Sequence, residues 1–413
     1  MTRCTRLTLC LAGAVLTVAS CQNDNSVGPT DPNASETGPR LATTTTAPLV
    51  FLQVDAGVDH TCGVATDNRA YCWGRNKIGI VSGGITGSGQ LGDGTTTDRH
   101  SPVAVAGGLL FRQVSAGAYH TCGVTMDYRA YCWGWNGSSD YGYGQLGDGT
   151  TTTRLKPVPV LGGHQFRQVS AGSFSTCGVS YPDNRAYCWG WNPYGQLGDG
   201  TVMERRTPVA VAGTLRFRQV SAGEGHTCGA TTDNVAYCWG LNAAGRIGDS
   251  TTVFRRKTPT AVAGGLLFRQ LSAGAGHSCG VTTDDRAFCW GDNHYGQIGD
   301  GKTTSIRRWP RAVIGALRFR EVIAGSFHTC GQTTTNLAYC WGDGRLGDGT
   351  TMLRRSPVPV SGGHQFRQLT AGGPSCGRDL VQKAYCWGAN GFGQLGDGTT
   401  TTRLTPRAVV GPM

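Results

Sequence analysis

Of 17 cysteines, 14 stand in pairs, and in five of those pairs a histidine lies two residues before the first cysteine: His60, His120, His226, His277 and His328. Histidine beside cysteine is the combination of a thiol nucleophile with its base, or of a zinc ligand set. Both readings fail on the pattern. Catalysis needs one unique constellation, and this one recurs along the chain with Ser175 in its third occurrence and Pro374 near it in the last. Zinc is disfavoured because no Cys-x-x-Cys occurs and each unit supplies two cysteines. No metal and no cofactor is expected, and the histidines read as structural.

The cysteine spacing carries a different chemistry. Six pairs are ten residues apart: Cys62 with Cys72, Cys122 with Cys132, Cys228 with Cys238, Cys279 with Cys289, Cys330 with Cys340, and Cys376 with Cys386. The seventh, Cys177 with Cys188, is eleven apart and encloses Tyr181-Pro182-Asp183-Asn184, a turn that has gained one residue. A spacing that follows turn length is what two cysteines facing each other across a hairpin require. Seven disulfides are expected, each contributing about 2.7 kcal/mol by loop entropy, in an oxidising compartment.

The elements that hold these cysteines repeat seven times. Cys-Trp-Gly begins at 72, 132, 188, 238, 289, 340 and 386. Before it come runs such as Phe111-Arg112-Gln113-Val114 and His120-Thr121-Cys122-Gly123-Val124; after it come Gly195-Gln196-Leu197-Gly198-Asp199-Gly200-Thr201 and Pro208-Val209-Ala210-Val211. The alternation in Phe-Arg-Gln-Val is that of a strand, the paired cysteine runs form a hairpin, and the proline-led run suits a strand whose first N–H is dispensable. The 65 glycines in 413 residues lack a collagen period and disfavour helix, while ten tryptophans argue against disorder. Length alone would suggest two or three domains. Four short strands in each of seven units instead predict one all-β, seven-bladed propeller over residues 49–413. The first strand (Phe51 to Val54) lacks a predecessor and the last (Pro406 to Val410) a successor, so pairing of these terminal strands is expected to close the ring.

The pattern Ala-Gly-x-x-His-Thr, Trp-Gly-x-Asn-x-x-Gly-Gln-Leu-Gly-Asp-Gly and Pro-x-x-Val resembles the regulator of chromosome condensation repeat, a seven-bladed propeller family, over essentially all of residues 51–413. The family's functions transfer in part. Guanine-nucleotide exchange does not suit an exported protein. A light-sensing Gly-Trp-Arg-His-Thr motif is absent, since Val58-Asp59, Ala118-Tyr119 and Ser326-Phe327 precede the His-Thr pairs. Secreted propellers that inhibit β-lactamases through one face are the nearest functional analogy.

Export itself is read from residues 1–20, where Arg3 and Arg6 precede an apolar run. Val18-Ala19-Ser20-Cys21 resembles a bacterial lipobox, which implies lipidation at Cys21 and, with Gln22 next, the outer membrane or cell surface. Residues 21–48, polar with Thr43-Thr44-Thr45-Thr46, read as a disordered tether. Loss of two arginines lowers the formal charge from +11 to +9, a balance that favours anionic partners.

Function is sought where the repeats disagree. Unit one inserts 77–89, unit two carries Gly137 to Tyr143, and unit six is cut to Asp343-Gly344-Arg345. Along this track and the pair before each histidine stand Trp135, Tyr141, Tyr143, Trp191, Tyr194, Tyr295, Tyr119, Phe174 and Phe327, the candidate partner-binding residues. His294 and Phe392 decorate the same track. The arginines at 99, 154, 205–206, 255–256, 307–308, 354–355 and 403 could form a basic annulus, or be balanced locally by the turn aspartates Asp93, Asp148, Asp199, Asp249, Asp300, Asp348 and Asp397. The expected function is a monomeric, non-catalytic, surface-tethered scaffold for a protein or glycan, held to the membrane by its lipid alone and binding no nucleic acid. The alternative is an envelope lyase or hydrolase with its site in the central channel. Glu224, Asp292 and His294 are too scattered in sequence to support that catalysis.

Overall fold

The computed structural model describes residues 5–11, 14–20, 49–77, 88–137, 142–303 and 306–412. Lipidation at Cys21, the tether and Tyr141 fall outside them. The chain divides into two units, Met1–Thr45 and Thr46–Met413. In the first, strands Thr5–Leu11 and Ala14–Ser20 pair antiparallel in a two-stranded sheet.

The second unit is a ring of seven four-stranded antiparallel sheets, each built from strands consecutive in sequence. Blade one is Phe51–Ala56, His60–Ala65, Ala70–Gly74 and Arg99–Ala104, and blade seven is Phe366–Ala371, Pro374–Asp379, Ala384–Gly388 and Arg403–Ala408. The first strand of each blade lines the central channel. Its Phe and Val (or Leu), three residues apart, are both buried in the seam; strict alternation would separate them, and a register shift between Phe51 and Gln53, repeated in the other blades, brings them to one side. The second strand of blade one is buried at all six residues, because neighbouring blades cover both its faces.

Each cysteine pair sits directly opposite in register across its hairpin, and all seven are disulfide-bonded. Blades one and two hold Cys62–Cys72 and Cys122–Cys132, and blade three the eleven-residue pair Cys177–Cys188. Blades four to seven hold Cys228–Cys238, Cys279–Cys289, Cys330–Cys340 and Cys376–Cys386. Among the described residues no helix is long and apolar enough to cross a membrane. The disulfides place this domain in an oxidising compartment.

The seams explain the glycine and tryptophan content. The disulfide of one blade packs with the Phe, Val and Trp of the next: Cys62 and Cys72 share a cluster with Phe111, Val114 and Trp133. Leu91 of the Gly-Gln-Leu-Gly-Asp turn completes it. Gly92 of that turn has φ +69°, and a Cβ there would lie 2.6 Å from Trp133 Nε1, so this position excludes any other residue twice over. The preceding carbonyl, Gln90 O, receives both the Trp133 indole N–H (3.0 Å) and the Thr121 hydroxyl (2.8 Å). The turn of one blade is therefore a bracket for the next.

The ring does not close by pairing the terminal strands. Arg403–Ala408 bonds within blade seven and Phe51–Ala56 within blade one. The proline-led strand is the outer edge of its sheet and the Phe-Arg-Gln-Val strand the inner edge of the next, so adjacency in sequence leads across the full width of a blade. Closure is made by a seam like the others: Phe51, Val54 and Trp73 pack on Cys376, Cys386 and Leu395. Gln368 Nε2 donates to Val54 O at 2.9 Å, and Gly373 N to Gly57 O at 2.9 Å.

Candidate functional site

Strand direction decides which variable residues meet. The end of the first strand, the start of the second, the end of the third and the start of the fourth all reach one face, as His60↔Gly74 and Gly74↔Arg99 show. Both variable tracks therefore belong to that face.

On blades two to four they merge into one cluster. Tyr119 meets Trp135 (6.0 Å between centroids), Trp135 meets Tyr143 (5.5 Å), Phe174 meets Trp191 (5.5 Å) and Trp191 meets Tyr194 (5.3 Å). These pairs are edge-to-face, the geometry that the ring quadrupoles favour. All six rings are half-buried, so each packs on its neighbours and still presents apolar surface. Phe254, 60% exposed, extends the row at 6.1 Å from Tyr194. Sequence reading missed it because it lies in the run before the outer strand rather than on either track. Tyr295 and Phe327, 40% and 50% exposed, form a separate pair on blades five and six. The candidates thus fall into two groups. Phe392 lies under the Arg75 guanidinium at 4.5 Å, which is itself paired with Asp59 at 3.0 Å.

The scattered polar residues come together around one that the sequence reading overlooked. Arg246 replaces the turn glutamine of blade four; its Nη1 donates to Ala275 O at 2.7 Å, and Glu224, Asp292 and Tyr194 act on its charge. Burial nonetheless lowers its pKa. Asp292 also contacts His294. The departure from Gln to Arg at this repeat position was the signal available.

The central channel is narrow. At the aromatic face a space of about 110 Å³ is bounded by the Ala-Gly ends of the seven first strands. A further space of about 210 Å³ is bounded by glutamine and serine side chains with Asp55 and Glu321. Both acids are committed to seams: Asp55 accepts from Ala116 N and Thr370 Oγ1, and Glu321 from Leu369 N. On the opposite face a cleft of about 760 Å³ opens between blades two and three beside Tyr181 and His164.

The repeated residues are structural. His60 Nε2 lies 2.8 Å from Thr121 Oγ1 of the next blade, whose own proton goes to Gln90 O; the histidine therefore donates, as the neutral tautomer protonated on Nε2. Six of the turn aspartates hold the first arginine of the outer strand, as in Asp93–Arg99 (2.8 Å), Asp199–Arg205 (2.8 Å) and Asp397–Arg403 (2.8 Å), while Asp249 holds the second, Arg256, at 2.6 Å. Asp93 also accepts from Thr95 N and its hydroxyl, and these bonds hold its carboxyl below the usual range against the opposing effect of burial. The annulus is thus internally balanced at one arginine in each blade. The exposed cations left on these blades include Arg206, Arg255 and Lys257. Among the described residues no group of three or more His, Cys, Asp or Glu is placed to hold a metal.

Comparison with known proteins agrees with this architecture. Two models of the Regulator of chromosome condensation (RCC1) repeat match, one at 51–77, 111–145, 166–196, 217–246 and 268–297, the other at 82–124, 129–179, 183–230, 284–331 and 383–413. The chain is 33% identical over 384 residues to the ultraviolet-B receptor UVR8 of Arabidopsis thaliana, covering 88% of this chain and 83% of that protein. It is 29% identical over 297 residues to the human E3 ubiquitin-protein ligase HERC2, covering 69% of this chain but 6% of the ligase. Among solved structures, human WBSCR16 superposes with a TM-score of 0.68 at 20% identity, covering 76% of this chain and 86% of that one. Yeast Prp20p, described with its binding properties to Gsp1p and histones, gives 0.67 at 21%, covering 78% and 80%.

Proposed function

The chain belongs to the regulator of chromosome condensation repeat family, and from that premise we propose that it is a non-catalytic binding scaffold, tethered at the cell surface, that recognises a protein or glycan through its aromatic face. The observation that carries this reading is the row Tyr119, Trp135, Tyr143, Phe174, Trp191 and Tyr194: six half-buried rings, contiguous, on one face of the ring. Contiguous apolar surface on a soluble domain marks an interaction site, and aromatic residues dominate binding energy at such sites. The yeast relative's association with Gsp1p and histones supports the use of this fold for protein recognition. Tyr295 and Phe327 would form a second contact point, and Tyr141 belongs with the first by sequence.

The test is capture of cell-envelope or culture proteins by residues 49–413, with Trp135→Ala and Trp191→Ala variants whose circular dichroism matches the parent. Each substitution is expected to weaken retention of the specific partner at least tenfold, the loss of a binding hot spot of about 1.4 kcal/mol or more. Retention unchanged in the double variant would refute the aromatic face as the binding surface.

Tethering rests on the lipobox-like Val18-Ala19-Ser20-Cys21. Cys21→Ser is expected to abolish incorporation of labelled palmitate and to release the protein from the membrane fraction. A Cys21→Ser protein that still labels and sediments with membranes would remove the anchor from this reading.

A further inference from the structure

Blade-to-blade seams repeat the same stitches, and one seam lacks several of them. At the seam between blades one and two, Gln53 Nε2 donates to Val114 O at 2.7 Å and Val114 N donates back to Gln53 Oε1 at 2.8 Å. Ala116 N donates to the Asp55 carboxylate, and Val58 N to Gly117 O. Gln113, Gln168, Gln219, Gln270 and Gln368 repeat the two-way clamp at five further seams.

Between blades six and seven the clamp residue is Glu321. Leu369 N reaches its Oε1 at 2.7 Å, but a carboxylate has no N–H to return to Leu369 O. Ile323 stands where Ser115, Ser170, Ser221 and Ser272 bond the next blade. Among the described residues Ala371 N therefore lacks the bond that Ala324 N makes to Ser272 Oγ at 3.0 Å. Nor does Ser326 N bond Gly372 O, although the equivalent Ala275 N reaches Gly325 O at 3.2 Å. Among the described residues the Trp387 indole N–H is buried without a partner over the shortened turn 343–345. The Trp73 indole is also unpartnered at the seam between blades seven and one, yet that seam keeps its glutamine clamp and its Thr61 bond to Gln394 O. Spacing agrees: a Cβ on Gly325 would lie 3.2 Å from the next blade's carbonyl oxygen, against 2.1–2.5 Å at Gly57, Gly117, Gly172, Gly223, Gly274 and Gly372. What remains includes the Phe366 N bond to Asn336 O at 2.7 Å, the Gly349 N bond to Leu404 O at 2.9 Å, the His328–Ser375 contact at 2.8 Å, the Gln332 amide on Phe366 O, and the apolar cluster of Leu346, Phe366 and Trp387.

We propose that the ring is built to part between blades six and seven, and that a proton on Glu321 holds this seam shut. A protonated carboxyl can donate its O–H to Leu369 O and so reproduce the glutamine clamp; an ionised one sets an oxygen against that carbonyl. Charged groups face it from both sides. Arg269 approaches from blade five, already paired with Asp285 at 2.6 Å, and Arg378 approaches from the second strand of blade seven beside Arg367 and Asp379. Gln332 is its register partner. Burial raises the Glu321 pKa to about 7, against the pull of Leu369 N–H and the two arginines. The stabilisation from the neutral form is present at acidic pH and lost as pH rises through about 7. Over this seam lies a cleft of about 480 Å³ bounded by Phe327, Asp343, Arg345 and Gly373, so parting reshapes the aromatic face there.

Hydrogen–deuterium exchange of the full chain at pD 6 and pD 8, corrected for intrinsic rate, tests the proposal. Segment 366–372 is expected to exchange about tenfold faster relative to segment 319–325 at pD 8 than at pD 6, the change that one pKa unit commands. Glu321→Gln, alone and with Ile323→Ser, is expected to remove that pH dependence and slow segment 366–372 selectively. Equal protection of the two segments at pD 8, or a Glu321→Gln protein that keeps the dependence, would overturn it.

Discussion

A reduced and alkylated chain is expected not to refold into the propeller. Each disulfide closes a loop of ten or eleven residues, and the loop-entropy relation gives about 2.7 kcal/mol for each, or about 19 kcal/mol for seven. Folded domains are stable by about 5–15 kcal/mol, so the reduced chain retains no net stability. The loss is also structural: every bonded cysteine is 0% exposed, and Cys228 and Cys238 share a cluster with Phe268 and Trp290 of the next blade. Cys279 and Cys289 pack in the same way against Phe319 and Trp341, and Cys330 and Cys340 against Phe366 and Trp387. The same burial protects the bonds while the ring is folded, because an attacking thiolate must reach sulfur. Dithiothreitol in native buffer should therefore act slowly, and promptly once denaturant opens the chain. The measurement is unfolding in guanidinium with reductant, alkylation, dilution, and near-ultraviolet circular dichroism against an oxidised control. Recovery of the native spectrum and of a cooperative melt by the alkylated chain would refute the claim. Cys228→Ala with Cys238→Ala, removing one bond, should cost about 3 kcal/mol and leave a folded protein.

Repetition made most of this fold legible in the chain itself. Cysteine spacing that lengthened with its turn at Cys177–Cys188 fixed the hairpin register, and the recurrence of His-Thr-Cys marked a repeated seam position, which His60 fills by bonding Thr121 of the next blade. What the repeat concealed was direction across the sheet. Pro-x-x-Val precedes Phe-Arg-Gln-Val in the chain, yet one is an outer edge and the other an inner edge, so the closure inferred from their adjacency was wrong. The aromatic row was visible as variable positions, but its continuity from Tyr119 to Phe254 depends on neighbouring blades, which no single repeat records. Glu321, Ile323 and Arg378 were legible in principle as departures from Gln, Ser and Val in a column of seven. They escape a search for function in loops because they sit in strands.

Acid is expected to unfold the domain well above the range where carboxylates alone would do so. His60, His120 and His277 have their pKa values pushed down by burial to about 3 and His328 to about 4, and His226 is lowered well below the usual value. In the unfolded chain each titrates near 6.5. Below that value the unfolded state binds five protons that the folded state refuses, so stability is full above pH 6.5 and falls as pH drops toward 3. Each histidine contributes about 1.4 kcal/mol per pH unit, roughly 10 kcal/mol for the five at pH 5. Two acids oppose this. Asp55 and Glu321 are raised by burial to about 6 and about 7, so their folded forms take up protons first and stabilise the ring as pH falls, by roughly 4 kcal/mol together between pH 7 and 5. The histidines win by number, and the turn aspartates, held low by their threonine and arginine partners, add to the loss below about pH 4. Urea midpoints measured from pH 7.5 to 4 should fall steeply below 6.5, and His120→Asn should reduce the slope by about one proton, 1.4 kcal/mol per pH unit. A midpoint at pH 4.5 equal to that at pH 7 would mean that the folded ring admits protons to these imidazoles, and the seam hydrogen bonds from Nε2 to the next blade would have to be rearranged to let them in.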